Sequence, residues 1–247
     1  MNLRIALLGL VAAATLAGAG NVTAADISRP AYKAPIAAPA FSWTGLYIGA
    51  VAGYGWGDAD ITPTGVFGVL GMGTMRTKPD GWLAGGTLGY NYQQGNLVLG
   101  TEGEFYWSNL DASATFLPLG GGPGLAGTYS NNWTGTLSTR LGVAFDTILV
   151  YSKAGVAWAN NDYTLDIVPA GLVSPVSTSK TETGWLVGAG VEWAFARNWS
   201  AKIEGTYMNF GQKNRDFGFL GGFPVSATAD IDANVSTVKF GVNYRFY

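Results

Sequence analysis

The chain has 247 residues, a formal net charge of −2, 12% charged residues and 13% aromatic residues. That balance offers no strong field for nucleic acid or acidic substrates, and its charge density is low for a surface in water. The sequence contains neither Cys nor His, which removes disulfides, the commonest general base and the commonest transition-metal ligands together.

The N-terminus reads as an export signal. Asn2 to Arg4 give a short positive start, residues 5–19 an apolar run, and Val22-Thr23-Ala24 a small-residue cleavage site. The run is shorter than the roughly 20 residues a helical span needs, so residues 1–24 are expected to be a cleaved signal peptide. Residues 25–42 place Pro30, Pro35 and Pro39 among alanines, the composition of an extended tether.

From Thr44 onward the chain has a rhythm. Short turn-like breaks fall at Gln94-Gly95-Asn96, Asp146-Thr147 and Ala196-Arg197-Asn198, about 51 residues apart. Each unit reads as strand, long loop, strand. Four units predict eight strands, at 44–57, 81–93, 97–109, 133–145, 148–160, 184–195, 199–211 and 235–246. An even number of antiparallel strands joined by alternating short and long connections predicts an all-β, up-and-down transmembrane barrel over residues 43–247.

The alternation within strands supports this. Trp133, Leu137, Leu141, Val143 and Phe145 alternate with Thr134, Thr136, Ser138 and Arg140. In the last strand Phe240, Val242, Tyr244 and Phe246 oppose Lys239, Asn243 and Arg245. A period of two means one apolar and one polar face, but a soluble barrel has the same period with its apolar face inside. Tryptophan placement separates the two. Trp56, Trp82, Trp107, Trp133, Trp158 and Trp185 fall at strand ends beside long loops, and Trp43, Trp193 and Trp199 at ends beside short turns. Two indole rings at two rims are what a headgroup interface selects. Glycines on the polar face (Gly45, Gly49, Gly53, Gly85, Gly89, Gly188 and Gly190) suit a narrow bore.

Four stretches in order carry a family resemblance: Ser42-Trp43-Thr44-Gly45-Leu46-Tyr47-Ile48-Gly49, Gly184-Trp185 through Gly190-Val191-Glu192, Trp199-Ser200-Ala201-Lys202-Ile203-Glu204, and Val242-Asn243-Tyr244-Arg245-Phe246. They resemble the alphaproteobacterial outer-membrane β-barrel family, whose members are labelled porin-family or immunogenic outer-membrane proteins and share the OmpA-like transmembrane barrel. The resemblance implies a surface-exposed envelope protein set in outer-membrane lipid and lipopolysaccharide, with loops extracellular and both termini periplasmic. It implies no catalytic or cofactor-binding residue, and insertion by the barrel-assembly machinery through the terminal signature Phe240, Val242, Tyr244 and Phe246. The family usually ends on the aromatic residue, whereas Tyr247 follows here.

The inward face gathers charge. Glu102, Glu104, Glu192 and Glu204 are placed against Arg140, Lys153, Lys202, Lys239 and Arg245, and in a confined bore opposite signs at one level should pair. The expected layers put Glu102, Arg140, Lys153 and Glu204 at one depth and Glu192 with Lys202 below. Glu102 and Glu104 could form a catalytic carboxylate pair, but facing Arg140 and Lys153 they read as structural. Gly120-Gly121-Gly122-Pro123-Gly124 lacks the Lys and Ser/Thr of a phosphate loop. Asp58-Ala59-Asp60 and Asp230-Ile231-Asp232 offer weak Ca²⁺ oxygens but read as solvated charge.

The loop stretches 66–75, 116–125 and 217–225 mix glycine with Phe, Leu, Val and Met, so they either cover one another or meet an envelope or host surface partner. Two functions stand ahead of an enzyme. One is a structural, surface-presenting barrel with a charge-filled bore, the other a channel for small hydrophilic solutes. Eight strands enclose space that side chains fill, whereas open porins need about 16–18 strands, which favours the first.

Overall fold

The computed structural model describes residues 41–65, 75–116, 124–168, 176–219 and 226–246. The export signal, nearly all of the tether, most of the three apolar loop stretches, the run Gly120 to Pro123, and Tyr247 lie outside these residues. The strands are β1 (Gly45–Gly65), β2 (Met75–Thr77), β3 (Asp80–Gln94), β4 (Leu97–Phe116), β5 (Gly124–Phe145), β6 (Ile148–Val168), β7 (Val176–Ala194), β8 (Trp199–Phe219) and β9 (Ser226–Phe246). β2 and β3 are two pieces of one stave. Both run along β1 in one register, Ala59 facing Thr77 and Trp56 facing Asp80. Their ladder breaks at Pro79, which lacks an N–H, although its carbonyl still accepts from the Gly57 amide at 2.8 Å.

The eight staves follow one another antiparallel, and β9 returns to pair with β1 from Leu46↔Phe246 to Gly65↔Ala227. Closure removes the free sheet edges within the membrane band, while on the loop side β7 and β8 pair only as far as Trp185↔Asn209. Stepping across paired residues from Leu46 leads through Tyr90, Thr101, Thr139, Ala154, Val187, Tyr207 and Ser236 back to β1 at Trp56, ten residues further along. Eight strands with that stagger tilt by roughly 40° and enclose a backbone cylinder of roughly 8 Å radius. Side chains fill such a cylinder.

The distribution of residues is inside-out. Leu88, Leu99, Leu137, Leu141, Val143, Val150, Ile203, Phe240 and Val242 are exposed on the outer wall, while Arg140, Lys239, Glu102 and Glu204 are buried within. Only a hydrocarbon surrounding makes that favourable. The outward band is bounded by aromatic rings. On the loop side Trp56, Trp82, Trp107 and Trp185 are exposed, and Trp133 and Trp158 half-buried. The ladder keeps them at one level: Trp107 is opposite Trp133, Trp158 opposite Gly135, and Tyr54 opposite Trp82. On the turn side lie Trp193, Trp199, Tyr92, Phe145, Phe195 and Phe246, all exposed. The ten residues from Leu46 to Trp56, at that tilt, span roughly 25 Å, the height of a bilayer's apolar band.

Trp43 departs from the expected ring. It is fully buried at the turn end of the bore, its N–H donating to Asp146 O at 3.0 Å. The indole packs inside the turn end of the bore, where Arg245 stacks on it, 4.4 Å from the ring centroid, so cation–π attraction replaces headgroup solvation.

The strands are also longer than expected, 19 to 22 residues from β4 to β9. The extra residues lie beyond the loop-side tryptophans. Bulges interrupt the ladders there, between Trp107 and Leu110, Asn131 and Trp133, and Asn209 and Gln212. Gly211, at φ 66°, supplies the left-handed residue of the last. At the other end the tight turns use Gly95 at φ 60° and Asp146 at φ 54°, the positive φ that short hairpins need.

Candidate functional site in the barrel bore

Because successive side chains alternate between lipid and bore, each strand delivers a few inward residues to each depth. The bore is therefore layered. At the turn end Trp43, Val98, Ala144, Leu149, Tyr151 and Ala194 form an apolar cluster, extended by Phe41. Towards the loops Leu110, Ala157, Ala159, Leu186, Met208, Phe210 and Val235 form a second. Between them along every contributing strand lies the ionic layer.

Glu102 and Glu104 of β4 are its centre. Glu102 accepts from Lys153 Nζ at 3.1 Å, Lys202 Nζ at 2.9 Å and Arg140 Nη1 at 3.1 Å. Glu104 accepts from Lys153 at 2.9 Å and Lys202 at 3.2 Å, and makes a short contact with Lys239. Glu204 holds Lys153 at 2.7 Å and Lys239 at 3.0 Å. Glu192 holds Arg140 at 2.6 Å and stands 3.9 Å from Arg245. Every one of the nine charged residues expected inside is there and ion-paired.

The expected layering was too simple. Glu192 and Lys202 are indeed register partners on β7 and β8, but Lys202 reaches across the bore to Glu102 and Glu104 while Glu192 turns towards Arg140 and Arg245. Long, flexible side chains in a narrow cylinder choose partners by reach, and strand register fixes only where they start.

Neutral groups complete the network, and these were not singled out from sequence. Tyr47 OH donates to Glu102 at 2.8 Å and accepts from Arg140 at 2.8 Å. Tyr151 OH donates to Glu204 at 2.9 Å, and Thr206 to the same carboxylate at 3.1 Å. Ser200 and Asn243 donate to Glu192 at 2.6 and 2.9 Å. Their signal was parity: all but Tyr47, whose strand carries no inward charge, share the inward face with a charge on their own strand. Near the loop end a second polar tier links Tyr129, Asn131, Asn161 and Glu182, with Asn161 Nδ2 donating to Glu182 at 3.2 Å.

Burial makes this arrangement costly to disturb. The carboxylates and cations are essentially without solvent exposure, so each depends on its partners for the solvation that water no longer gives. Carboxylate oxygens of Glu102, Glu104 and Glu204 come within 4.8 Å of one another, close enough for a metal ion. Lys153 Nζ bonds all three, and an ammonium already stands where the cation would be.

The two Asp-x-Asp stretches prove to be neighbours, Asp60 lying opposite Asp232 on the β1–β9 seam. Asp60 is paired with the exposed Arg76 at 3.4 Å.

A closed eight-stranded antiparallel barrel with a lipid-facing apolar band and a charged interior is an outer-membrane β-barrel. The family model for the outer membrane protein beta-barrel domain matches residues 5–246, and the chain belongs to that family. It is 33% identical over 241 residues to the 31 kDa outer-membrane immunogenic protein of Brucella melitensis, covering 92% of this chain and 95% of that one. The 22 kDa outer membrane protein of Rhizobium leguminosarum is 30% identical over 221 residues, covering 87% and 83%. Among solved structures, the outer membrane protease OmpT of Escherichia coli has a TM-score of 0.50 at 10% identity, covering 85% of this chain and 99% of that one. That likeness is one of fold. The resemblance read from the four sequence stretches is thus confirmed, as is residence in the outer membrane.

Proposed function

We propose that this protein is a structural, surface-presenting barrel of the outer membrane whose bore is closed to solutes by its own side chains. The observation that supports this reading is the ionic layer held between two apolar clusters inside an eight-stranded cylinder. A hydrated ion entering would have to break buried pairs such as Lys153–Glu204 at 2.7 Å and pass a level narrowed by Leu186, Met208 and Phe210. Among the described residues no reacting group is poised for catalysis in this reading. Glu102 and Glu104 are each committed to several cations, which leaves neither carboxylate free to exchange a proton with a substrate.

The short turns and both chain ends belong on the periplasmic side, and the long-loop ends beyond the tryptophan ring face outward. Strands that continue past the membrane lift those loops above the lipid surface, where they are available to an envelope or host partner. The barrel contributes to envelope integrity by anchoring this display in outer-membrane lipid and lipopolysaccharide. Conductance of the refolded full chain in a planar bilayer tests the reading. Closed traces are expected, and steady ohmic conductance through single molecules would replace the structural role by passive diffusion of small hydrophilic solutes.

A further inference from the structure

One seam of the wall does not close along its whole length. β7 and β8 pair from Ala194↔Ser200 to Trp185↔Asn209 and no further, although β7 reaches outward to Val176 and β8 to Phe219. Over that extension each stays joined to its other neighbour, β7 to β6 as far as Leu165↔Val176 and β8 to β9 as far as Phe219↔Ser226. Beyond the loop-side tryptophans, two strands therefore turn bare backbone edges towards each other. The edges differ. β8 is broken by Gly211, at φ 66°, and again between Asp216 and Phe219. β7 keeps a single register with β6 and has neither proline nor glycine from Val176 to Thr183. The Ala194 amide donates to Thr147 O at 2.8 Å, on the β6 side. Amides two apart along a strand point to the same edge, so those of Ser177, Ser179 and Thr181 face the parted seam, where no ladder partner stands.

We propose that the β7 edge is a docking site for an extended strand of another polypeptide, added antiparallel to β7 and running away from the membrane. Alternating donors and acceptors at strand spacing are met in full only by another strand, and an uncovered edge is open to such pairing. The loops of this chain are too short to supply it. Residues 66–74 are the longest of the four loop segments outside the described residues. Extended, they reach roughly 30 Å, while the edge from Val176 to Thr183 runs roughly 27 Å. They cannot lie along it and also return to their own hairpin. Side chains narrow the occupant. Ser177, Ser179, Thr181 and Thr183 are exposed on the outward face of β7, and Lys180 is exposed on the other. A strand with hydroxyl-bearing or β-branched residues beside the first set and a carboxylate beside Lys180 complements both. Lys180 at the same time guards the edge against indiscriminate pairing. The proposal rests on the long-loop ends facing outward, as in the reading above, and is indifferent to whether the bore conducts.

The full chain, refolded in bicelles that leave both ends accessible, is titrated with a capped fluorescent peptide of alternating threonine and valine. The peptide matches residues 176–183 in length and carries glutamate for one central valine. Its anisotropy should rise saturably, and hydrogen exchange read by NMR should slow at the Ser177, Ser179 and Thr181 amides. Exchange at Lys180 and Glu182, whose amides face β6, should not change. Thr181→Pro takes a donor from the open edge and none from the β6 ladder, so it should weaken binding severalfold while the barrel's unfolding midpoint holds. Thr181→Ala keeps the amide and should bind as the unaltered chain does. The same peptide with prolines at its centre should not bind. Absence of saturable binding, equal binding of the proline peptide, or indifference to Thr181→Pro would overturn the site. Protection of the three amides without peptide would show that the chain covers its own edge, and a dimer that Thr181→Pro dissociates would put a second copy there instead. Binding in bicelles without binding to intact cells displaying the chain would overturn the assignment of the loop ends to the cell surface, and not the edge.

Discussion

Arg140 and Glu192 meet at 2.6 Å although a whole strand separates them. Arg140 leaves β5 and Glu192 leaves β7, and the guanidinium crosses β6 by lying over the Tyr151 ring, 4.2 Å from its centroid. Gly190 makes that passage possible, because a Cβ there would strike the Tyr151 ring at 2.7 Å. Arg140 thereby ties three strands of the wall and, through Glu102, a fourth.

Removing that tie should be felt in stability and in the bore together. Arg140→Ala leaves Glu192 without its close cation, while Glu102 keeps Lys153 and Lys202, at a cost of about 3–5 kcal/mol for a fully buried pair. Urea unfolding of the refolded protein in vesicles should show the loss, and planar-bilayer conductance should rise from near zero. Arg140→Lys keeps the charge but not the fork, so both changes should be smaller. If the unaltered protein already conducts steadily and Arg140→Ala changes neither property, the closed bore is refuted.

Facing is tested on β9. Val242 is exposed on the wall and Asn243 is buried in the bore, where it donates to Glu192 at 2.9 Å. Spin labels at these adjacent positions should differ sharply in accessibility to lipid-dissolved oxygen, with the label at 242 much the more accessible. A one-residue slip would carry Lys239 to the membrane midplane, at a cost of roughly 2–4 kcal/mol. Equal accessibility at both positions would remove this register.

Trp43 closes the turn end. Its indole N–H holds the carbonyl of Asp146, and its face and that of Phe41 both carry Arg245. Trp43→Ala should cost about 3–5 kcal/mol, as for other large core truncations, and should speed amide exchange at the Asp146 turn. Conductance should stay low, because the ionic layer lies deeper. A large rise in conductance from this variant alone would show that the seal is at Trp43.

Beyond the membrane band, hydrogen bonds from Ser179 and Asn132 hold the Asp162 carboxyl below the usual carboxylate range, the second through Asn132 Nδ2 at 2.7 Å. A carboxylate whose folded value is depressed contributes stability above its unfolded value and loses it as pH falls through the folded one. Carboxyl NMR should show Asp162 titrating low and moving up in both Ser179→Ala and Asn132→Ala. The effect on stability should be slight because the group is exposed. An unmoved titration in both variants would reject those bonds.

Alternation and turn chemistry determined much of this protein before any folding in space. Leu137, Leu141 and Val143 against Ser138 and Arg140 set the faces, the tryptophan pairs set the height of the band, and Gly95 and Asp146 set the hairpins. All of this is local, because a strand's period of two and a turn's φ are written within a few residues. The inventory of buried charge was equally legible, since parity alone assigns Glu102 and Lys239 to the inside. Only the closed cylinder decided which charges meet. Lys239 and Glu104 lie on β9 and β4, with β1 and β3 between them, and they touch because the circumference is small enough for side chains to span. Closure also turned Trp43 inward beside Arg245. Such pairings depend on curvature and stagger, and those are properties of eight strands together.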